Sequence, residues 1–185
     1  MSKPITSPFG VALWPHLTNP DYKFKSLGLY HVKLKVPKDK AQKDIKIIND
    51  VIAQEVHKQH EEDPKKEIKR APLPYETEDD NIVFNFKMNA GGINRKTKQS
   101  FTQKPVGFDH ELNPLDPNVN IWSDSILRVT YNPYGYNVAS TGIGCTLRMK
   151  SFQVKHLIQG GTQGDLTSGF SKVEGTSETV QEITP

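Results

Sequence analysis

The sequence predicts a mainly β protein, a five-stranded barrel with one amphipathic helix and a flexible C-terminal tail. Several segments alternate apolar and polar residues between glycines and prolines, which is typical of strands. Residues 38–61 instead repeat apolar residues at helical spacing, and residues 161–185 contain few large apolar side chains. Because periodicity predicts strands and not their order, a β-sandwich is the alternative architecture.

The first two strands are predicted within residues 10–15 and 28–36. In the second, the even-numbered residues from Tyr30 to Val36 are apolar and share one face, because side chains alternate along a strand. Lys33 and Lys35 lie on the other face. We therefore expect one face to belong to the core and the other to be cationic.

One helix follows the break at Pro37. Ile45, Ile48, Ile52 and Val56 recur at helical spacing without an internal glycine or proline, which predicts an amphipathic helix over residues 38–61. Residues 62–81 are rich in proline and acidic side chains, and we expect a loop there.

A basic β-hairpin comes next. Residues 82–90 alternate as a strand does, and residues 100–108 can return antiparallel after a turn at Gly91 and Gly92. Two further strands are predicted within residues 125–136 and 142–158. Five strands interrupted by one helix fit a small barrel of the OB kind.

Length and composition favour one domain, residues 1–160, followed by a flexible, weakly acidic tail, residues 161–185. No apolar run reaches the roughly 20 residues that cross a bilayer, and the N-terminus lacks the apolar centre of a signal peptide. We expect a soluble protein that is not exported. The single cysteine, Cys145, excludes an internal disulfide and is interpreted as a small buried hydrophobe.

Charge is unevenly distributed along the chain. Residues 1–37 carry a net charge of +4 and residues 81–160 carry +5, whereas residues 38–80 and 161–185 carry −3 each. The segments predicted as sheet are therefore basic, and the tail is expected to compete weakly with an anionic ligand.

Cations and aromatic side chains are interleaved in these basic segments. Single-stranded nucleic acid binds to cations that meet its phosphates and to aromatic faces on which its bases stack. The alternative is that the aromatic residues fill the core and the lysines only solubilise the surface; for Phe101 the two interpretations are balanced. The candidate DNA-binding residues are Trp14, Tyr22, Lys23, Lys33, Lys35, Lys87, Arg95, Lys96, Lys98, Phe101, Lys104, Arg128, Tyr134, Arg148 and Lys150.

Other function classes have weaker signals. Residues 109–116, DHELNPLD, contain the carboxylates that a metal-dependent nuclease requires, but a connecting loop has the same composition. His57 and His60 are one helical turn apart without a third ligand nearby. A virion or assembly protein with a basic hairpin is a further alternative. No catalytic residues, cofactor or metal site are predicted.

The order of several segments resembles that of the OB-fold single-stranded DNA-binding proteins of tailed bacteriophages. The most telling are PDYKF, the basic hairpin that ends in GFD, and the strand that contains LRMK, within a similarity that spans roughly residues 8–158. The resemblance implies an OB fold and sequence-tolerant binding of single-stranded DNA during phage replication and recombination, in the cytoplasm of the infected host. It implies no enzymatic activity and no membrane partner. It also implies a tail that contacts replication or recombination proteins. A homodimer is a further candidate partner.

Overall fold

The computed structural model describes residues 3–23, 25–94 and 96–159. They form ten strands and one helix within the described ranges. The elements are β1 (Ile5–Thr6), β2 (Gly10–Asp21), β3 (Leu29–Pro37), α1 (Lys38–Glu62), β4 (Tyr75–Glu78), β5 (Asn81–Asn89), β6 (Gly91–Ile93), β7 (Ser100–Thr102), β8 (Val106–Phe108), β9 (Ile126–Val138) and β10 (Gly142–His156).

Five long strands close into a ring in the order β2–β3–β5–β10–β9 and back to β2. All pairs are antiparallel except β5–β10, which is parallel. The short strands β1, β4 and β8 extend this sheet by pairing with β9, β5 and β10. Because β9 pairs with both β10 and β2, the five strands form one closed sheet and not two separate stacked sheets. The predicted five-stranded barrel is therefore confirmed, and the alternative of a sandwich is not.

The inside of the barrel is filled by the apolar phase of each strand. Val32, Phe86 and Leu147 lie side by side on β3, β5 and β10 and are almost completely buried. Ile48 and Ile52 of α1 join the same core, and the helix packs against β9 and β10. The alternation read from the sequence is therefore the inward and outward alternation of the barrel wall.

Helix α1 begins directly after Pro37 and ends at Glu62, so the prediction for residues 38–61 is confirmed. Within the described residues no helix has the length and apolar character needed to cross a membrane. Cys145 is buried, as predicted, and burial raises the pKa of its thiol to about 11.

The hairpin prediction was wrong in its register. Gly91 and Gly92 are not in the turn; they belong to β6, which pairs with β7 in a separate two-stranded sheet. The chain turns after β6, where the Asn94 side chain accepts hydrogen bonds from the backbone N–H groups of Lys96 and Thr97. An asparagine that bonds the amides following it stabilises a turn without glycine.

Two other boundaries also differ from the sequence prediction. The expected loop over residues 62–81 contains β4, which pairs with β5, and β2 continues to Asp21 beyond the predicted end at residue 15. Strand β8 pairs in parallel with β10 and does not return along β5.

One ionisable pair lies where α1 meets the barrel. The Tyr131 hydroxyl donates a hydrogen bond to Asp44 Oδ1, and both residues are buried. Burial raises the pKa of the Asp44 carboxyl, although the hydrogen bond from Tyr131 opposes this shift. Ionisation of Asp44 therefore costs more free energy in the folded protein than in the unfolded chain.

We expect Asp44→Asn to stabilise the protein at pH 7, because the amide keeps an acceptor for Tyr131 and carries no charge. A raised folded-state pKa means that wild-type stability falls as pH rises from the unfolded pKa, 3.8, through the higher folded pKa. The gain should shrink toward zero below about pH 4. Urea unfolding at both pH values measures it, with the exposed Asp50→Asn on the same helix as control. A gain independent of pH would contradict this account.

Candidate nucleic-acid interface

An open groove of about 1330 Å3 crosses the outer face of the barrel and is bounded by the β6–β7 hairpin. Its walls come from β2, β3, β5, β9 and β10. Seven predicted binding residues, which are far apart in the sequence, line it together. They are Trp14, Lys33, Lys87, Phe101, Tyr134, Arg148 and Lys150.

The floor of the groove carries basic side chains on three neighbouring strands, here called the basic row: Lys33 of β3, Lys87 of β5, and Arg148 and Lys150 of β10. His31 of β3 pairs with Lys87 of β5, and Lys87 pairs with Arg148 of β10. These residues face outward because their sequence neighbours, such as Val32 and Phe86, are buried. Like charges placed side by side on a sheet are destabilising. This arrangement therefore favours an anionic ligand over the row.

Positive charge dominates the groove. Among its lining residues in the described part of the chain are five lysines and arginines, Lys25, Lys33, Lys87, Arg148 and Lys150, and one carboxylate, Glu55. The negative charge of Glu55 is partly balanced by Lys58, whose Nζ lies 2.6 Å from Glu55 Oε1. Lys33 Nζ also lies 3.3 Å from the exposed carboxylate of Glu76 on β4, so β4 limits the cationic surface on that side.

Trp14 is held out from the barrel by a bulge in β2. Leu13 pairs with Lys33 and His16 with His31, so three steps along β2 match two along β3. Trp14 belongs to this bulge; its backbone φ is 46°, and its side chain is 66% exposed. Its backbone N–H donates to Ser123 Oγ at 3.0 Å. Bulges and strained backbone conformations of this kind cluster at functional sites, where they change the direction of a side chain.

Phe101 lies on the groove wall at the β6–β7 hairpin. It pairs with Gly92, and a Cβ on Gly92 would come within 3.0 Å of the phenyl ring. The glycine therefore lets the ring lie flat against the hairpin backbone. Because Phe101 is 41% exposed, it is not a core residue, and its role as a stacking face stays a prediction.

A third aromatic face comes from β9. Tyr134 is exposed, and the Arg148 guanidinium carbon lies 3.5 Å from the centre of its ring. This cation–π contact holds the guanidinium against the tyrosine ring. Tyr134 and Arg148 therefore place a π-face and a positive charge next to each other, as a nucleotide presents a base next to a phosphate.

Other predicted residues lie outside the groove lining. Lys35 Nζ contacts Glu78 at 2.8 Å, and Lys104 Nζ donates to the Pro117 carbonyl at 2.9 Å. Arg128 bonds Gln153 at 2.8 Å and covers the ring of Phe9. Arg95 lies outside the described residues. The role of all of these residues in binding stays a prediction. The remaining four predicted residues are exposed and lie in connections between strands. They are Tyr22, Lys23, Lys96 and Lys98.

Sequence reasoning missed several polar residues of the groove. Lys25 donates to Asn89 Oδ1 at 2.6 Å, and Gln103 donates to the Asn89 carbonyl at 2.8 Å, so the β2–β3 turn and the hairpin meet at the end of β5. His31 was visible on the cationic face of its strand. Burial lowers the pKa of His31, although the hydrogen bond that its ring donates to Asp21 opposes this shift, and the lowered pKa favours a neutral ring at neutral pH.

The acidic loop at residues 109–116 has a structural explanation. Asp109 accepts the backbone N–H groups of Glu111 and Asn113, each at 2.8 Å, and the Asn113 side chain at 3.0 Å. The Asn113 hydrogen bond is the main reason that the pKa of Asp109 is lowered. The carboxylate closes the loop, as the connecting-loop interpretation predicts.

No protein-family model matches the chain, and a search of curated proteins finds no match. Among solved structures, gp2.5, a single-stranded DNA-binding protein encoded by bacteriophage T7, superposes with a TM-score of 0.76 at 22% identity. The match covers 97% of this chain and 100% of that protein. The chain has the fold of this phage protein.

Two structures of the single-stranded DNA-binding protein of bacteriophage Enc34 share this fold at lower similarity. The C-terminally truncated form has a TM-score of 0.58 at 15% identity, covering 84% of this chain and 87% of that one. The complex with single-stranded DNA has a TM-score of 0.55 at 15% identity, with 85% and 89% covered. The fold that the sequence resemblance implied is thus confirmed.

Proposed function

We propose that this protein binds single-stranded DNA without sequence preference, and that it coats and protects the strand during phage DNA replication and recombination in the infected host's cytoplasm. The observation that carries the proposal is the groove, where cations and exposed aromatic side chains line one surface of the barrel. The fold shared with phage proteins described as single-stranded DNA-binding supports it.

In this proposal the phosphates follow the basic row, and the bases stack on the three exposed rings. Lys87, Arg148 and Lys150 are placed for the phosphates, whereas Trp14 and the face of Tyr134 that Arg148 does not cover are placed for bases. Every base has a π-face, and every nucleotide has the same phosphate. Binding of this kind therefore tolerates all sequences.

The same geometry selects single strands over duplex. Bases in a duplex stack on each other inside the helix, so the ring of Trp14 cannot reach their faces without unpairing them. Duplex DNA is left with the phosphate contacts alone, which are sequence-independent and salt-sensitive.

We expect steeply salt-dependent binding of labelled oligo-dT to the full chain. Each phosphate contact on a single strand contributes about 0.7 to the slope of log affinity against log salt concentration, so the five groove cations predict a slope of about 3 to 4. Fluorescence anisotropy from low to moderate salt measures it. Affinity that does not respond to salt, or that is equal for duplex and single strand, would contradict the proposal.

The same titration separates the nuclease alternative. Incubation with magnesium should leave the oligonucleotide intact on a denaturing gel. The carboxylate of Asp109 already accepts hydrogen bonds from Asn113 within its loop, which explains the carboxylate without a metal ion. Cleavage that depends on magnesium would instead favour the metal-dependent nuclease.

The proposal extends to the division of the chain. Residues 1–160 would bind DNA, and residues 161–185 would contact replication or recombination proteins. The structure does not describe residues 161–185. Their net charge of −3 is opposite in sign to the groove cations, which supports weak competition with DNA.

A further inference from the structure

We infer that His16, Asp21 and His31 form a binding site for a divalent transition metal ion such as Zn2+ at the edge of the groove. Among the described residues these are the three histidine and carboxylate side chains whose ligand atoms converge, all within 4.8 Å of one another. Two imidazole nitrogens and one carboxylate oxygen are a common ligand set for zinc.

The β2–β3 hairpin brings the three residues together. His16 pairs with His31 directly, and Asp21 pairs with Leu29, so five steps along β2 match two along β3. This irregularity turns the end of β2 back over the sheet. Asp21 therefore shares a face with His31, which a regular strand would not allow for a residue five positions after His16.

The ligand atoms are oriented before any ion binds. Asp21 Oδ1 accepts the backbone N–H of Lys23 at 2.8 Å, which leaves Oδ2 facing His31 Nε2 at 3.2 Å. Ligands at about 2.0 Å from a tetrahedral ion are about 3.3 Å apart, close to this separation. The His16 and His31 rings lie 4.7 Å apart between centroids, and the partly exposed His16 would complete the set by turning toward the other two ligands.

The type of ion follows from the donors. Imidazole nitrogen suits zinc, copper and nickel, whereas magnesium and calcium prefer oxygen ligands alone. Three protein ligands leave a fourth position open. Because His31 lines the groove, that position is available to a phosphate oxygen, a step that rests on the proposed function.

Zinc titration of the metal-free full chain by calorimetry, without DNA, tests the site. We expect one Zn2+ per chain, and at least about tenfold weaker binding in His16→Gln and in Asp21→Asn. The control His110→Gln removes an exposed histidine that is also next to a carboxylate, Glu111, and should bind as wild type does. Circular dichroism identifies a variant that fails to fold, and the other variant then decides the result.

Two results would overturn the site. The first is the absence of stoichiometric zinc binding, or unchanged binding in a folded His16→Gln or Asp21→Asn variant. The second is loss of binding in a His57→Gln and His60→Gln double variant, which would move the ion to α1. Since no DNA is present, either failure leaves the oligo-dT prediction untouched, and failure of oligo-dT binding leaves the zinc result valid.

Discussion

Replacing Trp14 with alanine is expected to weaken oligo-dT binding by about 1 to 3 kcal/mol, roughly 5- to 150-fold, while folding stability changes little. The ring is 66% exposed, so its removal creates no cavity, but it removes the stacking face at one end of the groove. Anisotropy measures the affinity, and thermal unfolding measures the stability. Trp122→Ala is the matched control, because that ring is also exposed but does not line the groove.

Trp14→Gly separates strain from function at the same position. A non-glycine residue in the left-handed region costs about 1 to 2 kcal/mol, and Trp14 has a φ of 46°. We therefore expect the glycine variant to bind DNA as weakly as the alanine variant and to unfold at a higher temperature than it.

The fluorescence of Trp14 provides a direct readout of stacking. In a Trp122→Phe variant it is the single remaining tryptophan of the sequence, and it should be quenched when oligo-dT binds. Unchanged affinity in Trp14→Ala, together with no quenching, would remove this ring from the interface.

Neutralising the basic row should have the largest effect. We replace Lys33, Lys87, Arg148 and Lys150 together by glutamine. With about 0.7 per phosphate contact, the slope of log affinity against log salt concentration should decrease in magnitude by about 2.8. The affinity at 0.1 M salt should fall by roughly several hundred-fold. The substitutions remove the adjacent like charges of Lys87 and Arg148 but also the contacts of Lys33 with Glu76 and of Arg148 with Tyr134, so we expect only a small change in folding stability. Affinity measured over a salt series gives both quantities.

The control changes the same net charge on another surface. Replacing Lys38, Lys40, Lys43 and Lys46 by glutamine removes four exposed cations of α1 that do not line the groove. This variant should keep most of the salt slope. Equal losses in the two quadruple variants would mean that net charge, and not the groove, attracts the DNA.

The sequence by itself determined the elements and their inward faces. The alternation from Tyr30 to Val36 and from Ile82 to Met88 was enough, because which face a strand side chain occupies depends only on its position in the chain. The break at Pro37 and the apolar spacing after it located the helix for the same local reason. The basic character of the sheet was also readable, since charge is a property of composition.

Only the tertiary structure decided which cations share a surface. Lys87 and Arg148 are distant in the sequence, and the parallel register of β5 and β10 places them side by side; Lys35 and Arg128, equally basic in the sequence, have partners elsewhere. The bulges of β2 expose Trp14 and bring Asp21 to His31, and no local pattern signals them. Strand pairing joins segments through backbone hydrogen bonds that all residues make alike, so its register is fixed by the packing of the whole barrel and not by the residues that it brings together.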